Sequence, residues 1–353
     1  MILKNKFSST KIFFGKNQRK KLSSIVKNKS ILVVCSKRGK KEINSDKSFT
    51  FLNKNKVKWI DNVTSNPTVR YIENINKKFR TRKFDYIIAI GGGSTMDTAK
   101  ALFLLFSMKK NTKIINLIKN ISKIKKKGKC KLIALPTTSG TGSEVTSYST
   151  VWDEKKLKKL SITHNFLYPE ISIIDPVLTY KLSIKDTINT ALDALNQAFE
   201  SIWNKNSNRE TLAYAVKSIS LSIKSLKKIN TKFNIDAQAR EDLSKASLYA
   251  GMCISKTRTS ICHSISYPLT LHFGVPHGLA CAFTMIAVMR LINKKNKTFF
   301  KFLIKSLKLN GYKDLQQQLN VLFKKLEVKS KNKEYIKNKK KLFRLIPEMY
   351  TPG

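Results

Sequence analysis

The sequence predicts an α/β N-terminal domain built on a mainly parallel sheet, followed by an all-α C-terminal domain. Three observations predict it. Short β-branched runs alternate with polar helical stretches through the first half. Two glycine-rich turns each follow an apolar run in that half. From about Lys185 onward, strand-like alternation gives way to apolar residues at helical spacing. A boundary near Leu182 then divides the chain into residues 1–181 and 182–353.

The strand candidates, in order, are KIFF (11–14), SILVVCS (30–36), KVKWID (56–61), DYIIAIG (85–91) and KLIALPT (131–137). ISIIDP (171–176) reads as a last strand, closed by Pro176. The lysine-rich stretch 108–131 reads as a solvated helix and loop. Helical periodicity covers 186–203, 208–229, 237–256 and 279–293. The stretch 294–341 is also helical, strongly basic and without a catalytic cluster.

The formal charge is 69 − 22 = +47. Such a charge suits a nucleic-acid or anionic-membrane binder. The basic residues, however, are spread over KKNTK, KIKKKGK, KKLKK, KSLKK and KNKKK. None of these is interleaved with aromatics as a base-stacking surface requires. Lys, Asn and Ile dominate throughout, as an AT-rich coding sequence produces, so no specific nucleic-acid partner is expected. The charge favours anionic small molecules. Five cysteines without a CxxC pair fit reduced thiols. MILKNKFSSTKIFFG lacks an apolar core and a cleavage site, and LACAFTMIAVM is too short to span a bilayer. A cytoplasmic protein without a membrane partner is expected.

In YIIAIGGGSTMDTAKALFLL a strand, a glycine turn and a helix follow one another. Gly91, Gly92 and Gly93 allow close backbone approach to a phosphate, and Ser94 can cap the helix. Asp97 falls near the helix start, where a carboxylate suits the dipole. In LIALPTTSGTGSEVTSYSTV, Thr137, Thr138, Ser139, Thr141 and Ser143 offer hydroxyls around Gly140 and Gly142. Thr141 to Glu144 has capping-box spacing. Two such loops, each after an apolar strand, point to a dinucleotide site at one sheet edge. Local backbone bonding is the ordinary alternative for both.

Asp193 and Gln197 stand four apart in ALDALNQAFE, one turn apart on one helix face. His263 and His277 are two of only four histidines, in CHSISYPLTLHFGVPHG. Pro268, Gly274 and Pro276 between them rule out one continuous helix, so a chain reversal can bring them together. A carboxylate, an amide oxygen and two imidazoles can converge on one divalent cation. Taken singly, each also fits a structural role.

At these motifs the chain resembles the iron-containing (group III) alcohol dehydrogenase family. GGGSTMDTAK, PTTSGTGSE, IIDP, LDAL…AFES and HFGVPHG occur in the family's order, over about residues 11–290. The resemblance implies the dehydroquinate synthase-like architecture. Residues 1–181 would bind the dinucleotide and 182–353 the metal, with metal and nicotinamide in the cleft between. It implies a homodimer and a metal held by one aspartate and three histidines. Asp193, His263 and His277 match three of these ligands, and Gln197 stands where a histidine is usual. Fe2+ is expected from the family. An amide oxygen is a harder donor than imidazole and leaves other divalent ions open. Tyr267 stands where relatives often carry a further histidine. Tyr267 and His272 are candidates for a proton relay, with packing as the alternative.

For the cofactor, Gly91, Gly92, Gly93 and Ser94 match the pyrophosphate loop, with Asp97 just beyond. Thr137, Thr138 and Ser143 match the loop on phosphate, ribose and nicotinamide, and Lys159 a cofactor-contacting lysine. NAD-preferring members often place an aspartate after the second strand. Here Ser36 is followed by Lys37 and Arg38, which favours NADPH over NADH. FESIWNKNSN and ISKTRTSICHSISYPLT are similar to phosphonoacetaldehyde reductases. Lys256, Arg258 and Thr259, with Thr257, would meet the phosphonate. The implied reaction is metal-dependent, NAD(P)H-linked reduction of a small anionic aldehyde, phosphonoacetaldehyde, to 2-hydroxyethylphosphonate. The alternatives are a generic short-chain alcohol or diol dehydrogenase and a basic nucleic-acid-binding protein without catalysis. Relatives typically continue beyond the position of MYTPG.

Overall fold

The computed structural model describes residues 2–4, 7–54, 56–108, 112–125, 128–156, 158–229 and 235–349. The chain divides into two compact units, residues 1–138 with 143–179, and residues 139–142 with 180–353. The second unit thus begins close to Leu182 but also takes the middle of the second glycine loop.

The strands of the first unit are β1 (Ile2–Lys4), β2 (Lys11–Phe14), β3 (Ser30–Val34), β4 (Lys56–Ile60), β5 (Tyr86–Gly91), β6 (Lys131–Pro136), β7 (Tyr148–Asp153), β8 (Lys158–Thr163) and β9 (Ile171–Ile174). Seven of them form one sheet in the order β1-β2-β9-β6-β5-β3-β4. Only β1 runs antiparallel to its neighbour. β3, β5 and β6 read as near-continuous apolar runs because both of their faces are covered. Leu32, Val34, Ile87, Ala89, Leu132 and Ala134 pack with Ile72, Phe79 and Leu102 on one face. Ile31, Val33, Ile88, Ile90, Ile133 and Leu135 pack with Leu22, Ile43 and Phe49 on the other. The helix after β3 (Lys37–Ser45) and the helix after β5 (Gly93–Phe106) therefore lie on opposite faces. That divergence opens a crevice at the carboxyl ends of β3 and β5.

Every expected strand is present, KIFF over its full span and the others with trimmed ends, whereas β1 and the antiparallel β7–β8 hairpin were not expected. Of the lysine-rich stretch 108–131, residues 109–111 and 126–127 lie outside the described residues, as do residues 350–353 of MYTPG. Between these two segments the chain forms a short helix, Ile114–Lys119.

The second unit is helical, with long helices at Ile184–Ile202, Arg209–Lys228, Ala237–Thr257, Ile261–Phe273 and His277–Lys295. Their apolar faces enclose one core that includes Leu195, Phe199, Ile219, Leu243, Leu269, Leu279, Met285 and Phe300. Ser183, Asn208 and Asp236 cap the first three through bonds to the N–H of Asp186, Thr211 and Ala239. Pro268 does not break a helix as its residue type suggests. It sits inside Ile261–Phe273 at the cost of one backbone hydrogen bond, and the reversal is made by Gly274 (φ 68°) and Pro276. Among the described residues no helix is long and apolar enough to cross a membrane.

Arg19 fastens the edge of the first unit. Its Nη1 donates to Asp175 Oδ2 at 2.9 Å and its Nε to Asp46 Oδ2 at 2.6 Å, while its backbone N–H reaches Asp175 at 3.2 Å. Burial opposes ionisation of Asp46, yet the Ser48 N–H and Arg19 hold its carboxyl below the ordinary range. Arg19→Leu strands the buried Asp175 carboxylate and should destabilise this unit by about 3 kcal/mol. Urea unfolding followed through Trp59 and Trp152 measures it. Because the folded pKa of Asp46 is depressed, its contribution is present above the unfolded value and lost as pH falls through the folded one. The wild-type advantage over Arg19→Leu should therefore shrink below about pH 4.

Candidate functional site

Asp193, Gln197 and Glu200 are spaced four and three apart on the Ile184–Ile202 helix, so all three face the same way and all are buried. His263 stands in the first turn of Ile261–Phe273, while His277 and Cys281 stand one turn apart at the start of His277–Lys295. Asp193 Oδ1 is the meeting point. It lies 3.2 Å from His263 Nε2, 3.9 Å from His277 Nε2 and 3.0 Å from Gln197 Nε2. Cys281 Sγ is 3.9 Å from His277 Nε2. One donor atom from each of Asp193, His263, His277 and Cys281 lies within 4.8 Å of all the others. Donors around a tetrahedral cation sit about 3.5 Å apart, so a small inward movement completes such a shell. His277 is the accessible member, its side chain 37% exposed, so solvent reaches the cluster on its side.

Glu200 explains why His263 points as it does. Its carboxylate accepts from the backbone N–H of Ser260 (2.9 Å), Cys262 (2.6 Å) and His263 (3.3 Å). It also meets His263 Nδ1 at 2.6 Å. With Nδ1–H donating to Glu200, loss of the Nε2 proton would leave a lone pair beside Asp193, as in a carboxylate–histidine–metal arrangement. Burial opposes protonation of His263, but Cys281, Glu200 and Asp193 around it raise its pKa well above the ordinary value. Burial likewise opposes ionisation of Cys281, and His263 and His277 bring its thiol down to about 7. The buried Gln197 Oε1 has no hydrogen-bond partner among the described residues. The four converging donor atoms, with His263 Nδ1 held by Glu200, fit a divalent cation.

The close approach of two helices sets the position of His277. A Cβ on Gly278 would overlap the backbone carbonyl of Asn189 and lie 2.9 Å from Asp193 N, so only glycine allows this contact. Residues 139–142 are fitted to the same unit. Gly142 (φ 60°) abuts Gly251, Ser139 Oγ meets Ser244 Oγ at 3.0 Å, and the Thr141 carbonyl lies 3.4 Å from Gln197 Nε2. A helix was expected to start near Thr141 on the capping-box spacing. Gly142 turns the chain instead into a short turn, Ser143–Val145.

In the first unit, Gly91 ends β5 and pairs with Pro136 at the end of β6, so the two loops leave the sheet side by side. Gly92, not Ser94, is the N-cap of Gly93–Phe106. Ser94 Oγ accepts instead from the Asn66 N–H at 3.1 Å. Asp97 lies beyond the first turn, and its backbone carbonyl accepts from Ser149 Oγ. Thr137 N–H donates to the Gly91 carbonyl, and the Thr138 side chain would lie 3.1 Å from a Cβ on Gly92. A Cβ on Gly91 would overlap Thr95, so the glycines let the turn pack closely against Thr95 and Thr138. Ser36 caps Lys37–Ser45 by accepting from Gly39 N–H, and Arg38 pairs with Glu42. Lys159 lies on β8 opposite Trp152.

Ser143 is bonded to a buried lysine. Its carbonyl and hydroxyl, at 2.7 and 3.0 Å, accept from the buried Lys100 Nζ. Lys100 also donates to the carbonyls of Thr146 and Tyr148. Burial pulls Lys100 down to about 8 against Asp97 and Glu144, and pushes Glu144 up to about 7.

Tyr267 stacks on His277 at 6.0 Å between ring centroids. His272 stands about 13 Å further along the helix than His263, by rise per residue, and meets Glu348 at 3.1 Å. Lys256 and Arg258 are exposed at the end of Ala237–Thr257, Arg258 with left-handed φ 63°, and Thr259 is half-buried. Thr257 is buried against Ser201 at 2.9 Å. Sequence reasoning missed Glu200, Cys281 and Lys100. The first two carry a legible signal, three residues after Gln197 and four after His277 on the same faces.

Residues 9–176 match the family described as iron-containing alcohol dehydrogenase, and residues 187–346 match the family's C-terminal part. A phosphonoacetaldehyde reductase from Streptomyces viridochromogenes is 32% identical over 61% of this chain and 55% of its own. An aldehyde-alcohol dehydrogenase of Entamoeba histolytica is 34% identical over 66% of this chain but 27% of its own. The chain thus spans about half or less of these two relatives. The match to an NADPH-dependent butanol dehydrogenase of Clostridium saccharobutylicum, 28% identical, covers 92% and 84%. Among solved structures, sulfoacetaldehyde reductase from Bifidobacterium kashiwanohense in complex with NAD+ superposes with TM-score 0.87 at 26% identity, over 98% and 92% of the two chains.

Glu200→Gln should lower affinity for Zn2+ or Fe2+ by about 10–100-fold, with helical content unchanged, measured by chelator competition and circular dichroism. Unchanged affinity would show that the Glu200–His263 contact serves folding alone.

Proposed function

Because the chain belongs to the iron-containing alcohol dehydrogenase family, we propose that it reduces a small anionic aldehyde, phosphonoacetaldehyde, to its alcohol with NADPH. The observation that carries the reading is the convergence of Asp193, His263 and His277, backed by Glu200. These residues would hold a divalent cation, which when bound supplies Lewis-acid polarisation of a carbonyl. Asp193 contributes negative charge in a buried setting, and Glu200 keeps the His263 lone pair at Nε2. Tyr267, stacked on His277, orients that ring.

The glycines at 91–93 and the N-terminus of Gly93–Phe106 suit a pyrophosphate. Ser36, followed by Lys37 and Arg38 with no acid before Glu42, suits a 2′-phosphate. A substrate with an anionic tail is supported by the likeness to a phosphonoacetaldehyde reductase and by the similar chemistry of sulfoacetaldehyde, a two-carbon aldehyde bearing a sulfonate. Lys256, Arg258 and Thr259 are proposed to receive that tail, next to the backbone that binds Glu200. A generic short-chain alcohol dehydrogenase is the second reading, favoured by the longer alignment with the butanol dehydrogenase.

NADPH oxidation with phosphonoacetaldehyde and with unsubstituted short aldehydes separates the two. The anionic aldehyde should have the higher kcat/KM, and Arg258→Ala should lower it by about 10–100-fold, the loss of a hydrogen bond to a charged group of about 1.5–3 kcal/mol. Equal efficiency for both aldehydes, with no loss in Arg258→Ala, favours the generic enzyme. Asp193→Ala and His277→Ala should each lose bound metal on anaerobic purification. Retained metal and activity in both refute the centre.

A further inference from the structure

We propose that Cys281 is a metal ligand in this chain, completing a carboxylate, two-imidazole and thiolate set with Asp193, His263 and His277, while Gln197 stays outside it. The inference rests on the reading of this cluster as a metal centre and goes beyond it in naming the fourth donor. Gln197 holds the expected position, one turn after Asp193, but its donor end faces the cluster. Its Nε2 lies 3.0 Å from Asp193 Oδ1 and 3.4 Å from the Thr141 carbonyl. Both neighbours are acceptors, so the amide presents its N–H to them, and turning it over would give up both hydrogen bonds. Gln197 is therefore a positioning residue that orients the Asp193 carboxylate through its N–H.

Cys281 approaches from a different helix. One turn beyond His277, its Sγ lies 3.9 Å from His277 Nε2, and it is fully buried. Its sulfur belongs to the group of donor atoms that all lie within 4.8 Å of one another, which Gln197 Oε1 could not join without losing both hydrogen bonds of its amide. Aspartate oxygen, histidine nitrogen and cysteine sulfur are all ordinary zinc donors. On binding, the Cys281 S–H bond breaks, the sulfur forms a bond to the cation and the proton leaves to solvent; no oxidant or reductant is involved. A thiolate in place of a neutral amide moves the site towards borderline and soft ions, Zn2+ and Co2+ over Mn2+.

The test loads metal-free protein with Co2+ and with Zn2+. Wild type should show a near-ultraviolet sulfur-to-cobalt charge-transfer band. Cys281→Ser should lose the band and about 100-fold or more in Zn2+ affinity, since even outer-shell partners are worth 10–100-fold. Gln197→Ala should keep the band. Zn2+ should also slow alkylation of Cys281, mapped by mass spectrometry in wild type, a readout independent of how the variants fold. Metal bound without the band, and alkylation of Cys281 unaffected, overturns the thiolate ligand and leaves the metal centre standing. No Co2+ or Zn2+ bound by wild type overturns both.

Discussion

The buried carboxylate of Glu200 holds two helices of the helical unit together. A carboxylate taken out of water is strongly destabilising unless its oxygens are satisfied. Here the backbone N–H groups of Ser260, Cys262 and His263 satisfy them, together with the His263 ring. Those N–H groups belong to the first turn of Ile261–Phe273, where a helix leaves its donors unpaired. A single side chain thus caps one helix, ties it to another and selects the tautomer of a ligand. The geometry around Asp193 follows from that anchor and from the glycine contact at Gly278, which sets His277–Lys295 against the same helix.

The first unit is governed by backbone proximity. β5 and β6 end in register at Gly91 and Pro136, and the loops that follow share a hydrogen bond from Thr137 to Gly91. Glycine at 91 and 92 makes room for the Thr95 and Thr138 side chains, which pack against this corner. Serine and threonine nearby have local duties: Ser36 caps a helix, Ser94 accepts from Asn66, and Ser143 helps enclose Lys100. Hydroxyls that mark a nucleotide loop in sequence are also those that finish the loop's own backbone bonding.

The central strands were legible because strands covered on both faces must be apolar throughout, as in SILVV and YIIAIG. The β7–β8 hairpin was not, since YSTVWD and KKLSIT mix polar and apolar residues and carry no tight-turn signature between them. The long helices followed from their periodicity. Pro268 misled because a helix can carry a proline in its interior at the cost of one backbone hydrogen bond. Asp193, His263 and His277 were legible as ligand types, and the structure brings them together. Gln197 sits on the expected face with its N–H, not its oxygen, towards Asp193, a distinction no spacing encodes. Glu200 and Cys281 lay in plain view at helical spacing, masked by the commoner roles of a helix acid and a small buried residue.

Lys100 gives this strongly basic chain an internal reporter. It is 1% exposed, whereas most lysines of the described residues stand in solvent. An amine-reactive reagent will therefore modify the surface lysines quickly and reach Lys100 only when the packing around residues 143–148 opens. Its labelling rate measures the local opening equilibrium of that segment at single-residue resolution, against an internal standard supplied by all the others.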